Sequence, residues 1–101
     1  MKGPFDITFS GSTAVTCLIQ DKMIYCANSG DSRAILGVVD DRGQVGFKKL
    51  STDHKLSIPA ERERVETNGG VVEKFKLDSN EYCGPLRVWL PGKNIPGLAM
   101  S

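Results

Sequence analysis

Six consecutive residues, Asn28-Ser29-Gly30-Asp31-Ser32-Arg33, hold an amide, two hydroxyls, a carboxylate and a guanidinium between two short apolar runs. A plain hairpin turn needs only Gly and one Asn or Asp. Such a set can lock a corner: Gly30 takes a positive φ, and Asp31 and Ser32 bond nearby backbone N–H groups. Arg33 then pairs with a carboxylate or reaches out to an anion. The residue types alone leave both uses of Arg33 open. A second polar group is Asp53-His54-Lys55, with the chain's one His. A lone His beside a Lys is commonly a turn hydrogen-bonder rather than a general acid. Cys17, Cys26 and Cys83 are an odd number with no CxxC spacing, which speaks against a disulfide framework and a zinc site. They read as buried free thiols in a reducing compartment.

These groups need elements to hold them. Thr13 to Gln20 is β-branched and apolar on both faces, the pattern of an interior strand. Asp21-Lys22 turns the chain, and Met23 to Ala27 returns as a second strand. Past the polar corner, Ala34 to Val39 is a third strand and Asp40-Asp41-Arg42-Gly43 a turn. Gln44 to Leu50 is a weaker fourth. The first half is therefore expected to be a four-strand antiparallel meander. Ser57 to Thr67 reads as a helix, with Ser57 as its cap and Pro59 in its first turn. Ile58, Arg62 and Val65 share a face, and Asn68-Gly69-Gly70 closes the helix. Glu61-Arg62-Glu63-Arg64 reads as its solvated side. Val71 to Phe75 and Leu86 to Leu90 are two further strands, with a polar loop from Asp78 to Gly84 between them.

Bulk properties narrow the function. At 101 residues the chain is one small domain at most, and 40% hydrophobic with 25% charged content is that of a globular protein. A net charge of +1 provides no basic stripe for nucleic acid or an anionic membrane. Apolar runs are far shorter than the roughly 20 residues of a bilayer span, and no secretory leader is visible. The expectation is an intracellular protein, cytoplasmic or nuclear, with neither nucleic acid nor membrane as a partner.

Several motifs stand in order along the chain. They are Ser10-Gly11-Ser12-Thr13-Ala14-Val15, Ala27 through Ala34 around the corner, Asp53-His54-Lys55, and Glu61 through Arg64. Asn68-Gly69-Gly70-Val71 and Pro96-Gly97-Leu98-Ala99-Met100-Ser101 follow. This series resembles the type 2C metal-dependent serine/threonine protein phosphatases. The Arg87-Val88-Trp89-Leu90 strand resembles their plant and protist branch. The resemblance runs from Ser10 to the end of the chain.

The resemblance implies an α+β fold: part of an antiparallel β-sandwich with one helix and a flap hairpin. Residues 1–56 would supply core strands, 57–70 the helix, 71–97 the flap region and 98–101 the start of the next core strand. It also implies a phosphomonoester hydrolase acting on phosphoserine and phosphothreonine in protein substrates. Paired Mg²⁺ or Mn²⁺ ions activate its water. The family's Asp-Gly-His-Gly ligand motif does not occur here, and Asp6 stands at the wrong spacing for an accessory-metal ligand. The expectation is thus a central piece of the catalytic domain, inactive alone, with no metal or catalytic residue of its own. Asp31, Ser32, Arg33, Asp53 and His54 would be scaffold near the site. Trp89 and Arg87 would touch substrate or a regulator at the flap. The alternative is a non-catalytic, phosphatase-like interaction module.

Overall fold

The computed structural model describes residues 3–101. Contacts divide the chain into two compact units, Thr13–Asp53 and a second made of residues up to Ser12 with His54–Ser101. Mostly antiparallel strands in small sheets with one helix make it an α+β chain, as the sequence implies.

In the first unit, β1 (Ala14–Gln20) and β2 (Met23–Ser29) form an antiparallel hairpin. Asp21 and Lys22 both take positive φ, 50° and 64°, the twist-compatible conformation of a two-residue hairpin loop. β3 (Ile35–Val39) and β4 (Val45–Lys49) form a second hairpin. Asp40 Oδ1 closes its turn by accepting from the backbone N–H groups of Arg42 and Gln44 at 2.9 and 2.8 Å.

Two expectations change here. The four strands follow the meander order but pair as two separate hairpins, because the corner between β2 and β3 interrupts the ladder. Nor is β1 interior: each of its residues is exposed. A strand apolar on both faces is buried on both only where other layers cover it, and within this unit β1 has the β2 ladder alone.

In the second unit, α1 (Pro59–Thr67) starts from an extended Ile58 with no side-chain cap. Ser57 lies outside the helix and does not cap it. Pro59 opens the first turn, where its missing N–H costs nothing. The helix ends in paired bonds of the Schellman type: Gly70 N–H to Val65 O and Gly69 N–H to Glu66 O, both 3.0 Å. Gly69 takes the left-handed φ of 85° that this ending requires. The buried side of α1 carries Val65 with the half-buried Glu61, while Arg62 faces solvent. Leu56, Val65 and Val72 form the buried core, with Leu86 and Val88 packed on it.

β5 (Val71–Lys76), β6 (Tyr82–Trp89) and β7 (Pro96–Leu98) form one antiparallel sheet in that order. Strand β6 begins at Tyr82, inside the stretch expected to be loop. The register shifts between Lys74 and Phe75, pairing them with Leu86 and Cys83. Gly84 and Pro85 bulge out between these partners, which suits a Pro with no N–H to give the ladder. The hairpin closes with Leu77 N–H bonded to Glu81 O at 2.8 Å.

Candidate functional site

The corner between β2 and β3 is a polar network, satisfied at most of its groups but with Asn28 Oδ1 buried and unpartnered among the described residues. Gly30 is buried at φ 97°, and a Cβ there would meet Thr13 Cγ2 at 2.5 Å. Only Gly fits both the conformation and the space. Thr13 Oγ1 and Ser32 Oγ share a hydrogen bond of 2.6 Å. Asn28 Nδ2 donates to Gly30 O at 3.0 Å and to Thr52 O at 2.9 Å, tying the corner to the chain beyond β4.

Arg33 completes the network. Its Nε and Nη2 donate to Asp53 Oδ1 and Oδ2 at 2.8 and 2.6 Å, a bidentate fork. The Asp53 side chain is 9% exposed, so the fork is made to a carboxylate largely shielded from water. The hydrogen bonds and charge of Asp53 raise the Arg33 pKa. Ser51 Oγ accepts from Ala34 N–H at 2.9 Å, and Leu50 N–H donates to Ala34 O at 2.9 Å. Of the two uses open to Arg33, pairing with a carboxylate is the one realised.

Ser32, Arg33 and Asp53 thus come together. Asp31 does not join them; it is exposed, and among the described residues its carboxylate accepts no hydrogen bond. His54 falls in the second unit, half-buried, and its carbonyl accepts from Ser101 N–H at 3.4 Å. Asn28 stood in the polar corner read from the sequence, though without its partners; Ser51 was missed, because its bond to Ala34 exists only once the β3–β4 hairpin folds the chain back.

The second polar cluster lies on α1. Glu61 accepts from Arg64 Nη2 at 2.5 Å and Nε at 3.0 Å, and from Ser101 Oγ at 2.8 Å. Its side chain is 11% exposed, so the expectation of a solvated charge fails at this residue. The Arg64 hydrogen bonds, opposed by burial and helped by Ser101, hold its carboxyl at about 2.

On the β5–β6 hairpin a groove of about 790 Å³ is lined by Phe75, Lys76, Trp89, Lys93 and neighbours. Trp89 Nε1 donates to Glu73 O at 3.0 Å, and its ring lies 6.2 Å from that of Phe75. A Cβ on Gly97 would come within 2.6 Å of the Trp89 ring, so the indole packs closely against this glycine. Arg87 Nη1 donates to Gly97 O at 2.7 Å, while its Nε is buried without a partner. Arg87 and Trp89 are thus built into the three-stranded sheet, with Trp89 also lining the groove.

A hard divalent cation needs several converging oxygen donors. Among the described residues no three His, Cys, Asp or Glu side chains come together in that way. Asp6 is exposed, and its Oδ1 accepts from Thr8 N–H at 2.9 Å; hydrogen bonding from the Thr8 side chain first, and then from its backbone, lowers the Asp6 pKa. The described residues do not fit a metal pair, and no chemical step through one is derived from them. The three thiols also depart from expectation: Cys17 and Cys83 are exposed and Cys26 is only half-buried. β1 and β2 have no second layer within their unit, and Cys83 lies outside the part of β6 that packs on the core.

Two hairpins joined by a clamped polar corner, and a three-stranded sheet with one helix, make this an α+β chain. Residues 6–88 match the family described as Protein phosphatase 2C, and the chain belongs to that family. It is 45% identical over 96 residues to probable protein phosphatase 2C 12 of Oryza sativa subsp. japonica, covering 95% of this chain and 24% of the relative. Probable protein phosphatase 2C 72 of Arabidopsis thaliana is 41% identical over 97 residues, 96% of this chain and 28% of its own length. Probable protein phosphatase 2C 73 of the same plant is 44% identical over 96 residues, 95% and 25%. The chain spans about a quarter of the length of these curated relatives. No solved structure gives a significant match.

Proposed function

We propose that this chain is the central piece of the catalytic domain of a Mg²⁺- or Mn²⁺-dependent serine/threonine protein phosphatase. The whole domain hydrolyses phosphoserine and phosphothreonine in intracellular phosphoproteins, using a metal-activated water. The observation that carries this reading is the family match over residues 6–88. Asp31, Ser32, Arg33, Asp53 and His54 act as scaffold beside the site. The Arg33–Asp53 fork holds the corner so that neighbouring strands keep their register. Trp89 and Arg87 shape the flap, whose groove meets substrate or a regulatory protein.

The chain alone is inactive on this proposal, since the described carboxylates form no metal cluster. Hydrolysis of p-nitrophenyl phosphate with Mn²⁺ tests it. The 101-residue chain is expected to give no chelator-sensitive turnover, and a longer chain from the same gene to give turnover that chelator abolishes. Chelator-sensitive turnover that stays with the 101-residue chain through further purification overturns the scaffold assignment. No turnover in the longer chain overturns the enzymatic reading. It would favour the second one, a non-catalytic module binding through the groove beside Trp89.

A further inference from the structure

The β1–β2 register carries a pair of groups that the phosphatase reading does not use. Cys17 and Cys26 are direct cross-strand partners. Direct partners in an antiparallel ladder project from the same face. Such positions alternate between hydrogen-bonded and non-hydrogen-bonded pairs, counted outward from the turn. The loop is the two residues Asp21-Lys22, so Gln20↔Met23 closes it as a hydrogen-bonded pair. Ile19↔Ile24 is then non-hydrogen-bonded, Leu18↔Tyr25 hydrogen-bonded, and Cys17↔Cys26 non-hydrogen-bonded. In that class the Cα atoms approach to about 4.5 Å and the side chains lie closer. A disulfide accepts Cα separations of about 4.4 to 6.8 Å. Cys17 is exposed, so a reagent can reach it, and Cys26 stands behind it half-buried. Burial and the neighbouring Cys17 thiol push the Cys26 thiol up, as suits the member that reacts second.

We propose that Cys17 and Cys26 form a dithiol modification site that a small disulfide, such as oxidised glutathione, converts to a cross-strand bridge. The Cys17 thiolate attacks one sulfur of the glutathione disulfide. That S–S bond breaks, and one glutathione leaves as thiolate and takes up the proton that Cys17 gave up. Cys26, deprotonated in turn, attacks the Cys17 sulfur of the mixed disulfide, and the second glutathione leaves as thiol. Two electrons pass from the protein pair to glutathione, and two hydrogen atoms leave the protein. The site does not depend on the catalytic reading of the chain.

The test is to incubate the full 101-residue chain with oxidised glutathione, block remaining thiols, and map peptides under denaturing conditions. Trypsin cuts after Lys22, which leaves Cys17 and Cys26 on separate peptides joined only through a bridge. The expected product is that linked pair, with Cys83 free. Cys83→Ser leaves its yield unchanged, and Cys17→Ser or Cys26→Ser abolishes it. Closure in native buffer should outpace closure in strong denaturant by about tenfold or more, because the ladder pre-positions the sulfurs. Equal rates with and without denaturant overturn the proposal. A glutathione adduct that persists on Cys17 overturns it as well, as does a bridge to Cys83.

Discussion

The units Thr13–Asp53 and His54–Ser101 are both built from short antiparallel strands, yet different forces hold them. In the second, Leu56, Val65 and Val72 are buried between helix and sheet. In the first, no apolar side chain is buried: Leu18, Ile19, Tyr25, Ile35 and Phe47 are all exposed. That unit depends on two ladders, a tight loop and the polar network at the corner. Burial of apolar surface is non-directional and tolerates change, whereas a polar network needs each partner in place. Similar strand content therefore hides different sensitivities to mutation.

The largest expected effect breaks the apolar side of this contrast. Leu56 is 3% exposed, and Leu56→Ala removes its contacts with Val65 and Val72. The expected loss is about 3 kcal/mol, read as lost hydrogen-exchange protection at the β5–β6 ladder. The matching truncation in the other unit, Leu18→Ala at 58% exposure, should change stability by no more than about 0.5 kcal/mol. Equal losses at the two sites would mean that β1 is packed against something after all, and the contrast would fail.

A smaller effect breaks the polar side. Arg33→Lys keeps the charge but cannot make the two parallel bonds to Asp53. The guanidinium is 45% exposed, so solvent screening keeps the loss well below that of Leu56→Ala. Asp53→Asn should cost a similar amount, and the double variant little more than either alone, in a denaturation cycle. Additive losses would show that the two residues act independently and that the ladders alone set the corner.

Local chemistry was legible in the sequence, and distant pairing was not. Asp40-Asp41-Arg42-Gly43 announced its turn, and Asn68-Gly69-Gly70 announced the helix stop, because each acts over a few residues. The corner was visible as an unusual density of polar groups. That Arg33 would find Asp53, twenty residues on, follows only from the β3–β4 hairpin folding the chain back. The cysteine pair was hidden for the same reason, since opposition across a ladder is a property of register. Strand β6 was cut short in the sequence reading because Gly84-Pro85 looks like loop, whereas a bulge absorbs both. The burial of Glu61 was missed by choosing the helix face of Arg62. A charged residue four before a buried Val belongs to the buried side when a partner satisfies it.

Glu61 supplies the smallest and most selective test, because it places one polar device inside the apolar unit. Its carboxyl is held at about 2 rather than the ordinary 4.5, through the Arg64 hydrogen bonds first, against burial, with Ser101 and the charges of Arg64 and His54 adding to it. A folded-state value below the unfolded one means that the unfolded chain takes up the proton first as acid is added. The stabilisation is therefore fully present above about 4.5 and is lost as pH falls toward about 2. Protection factors at the Gly69 and Gly70 amides, which close the helix, should fall across that window in the wild-type chain. In Glu61→Gln the charge is gone, and the same amides should start lower and change less. If the β1–β2 amides follow the wild-type curve, the acid transition is global and Glu61 does not govern it. If they stay flat while α1 loosens, the two units differ in their response to protons as they do in burial.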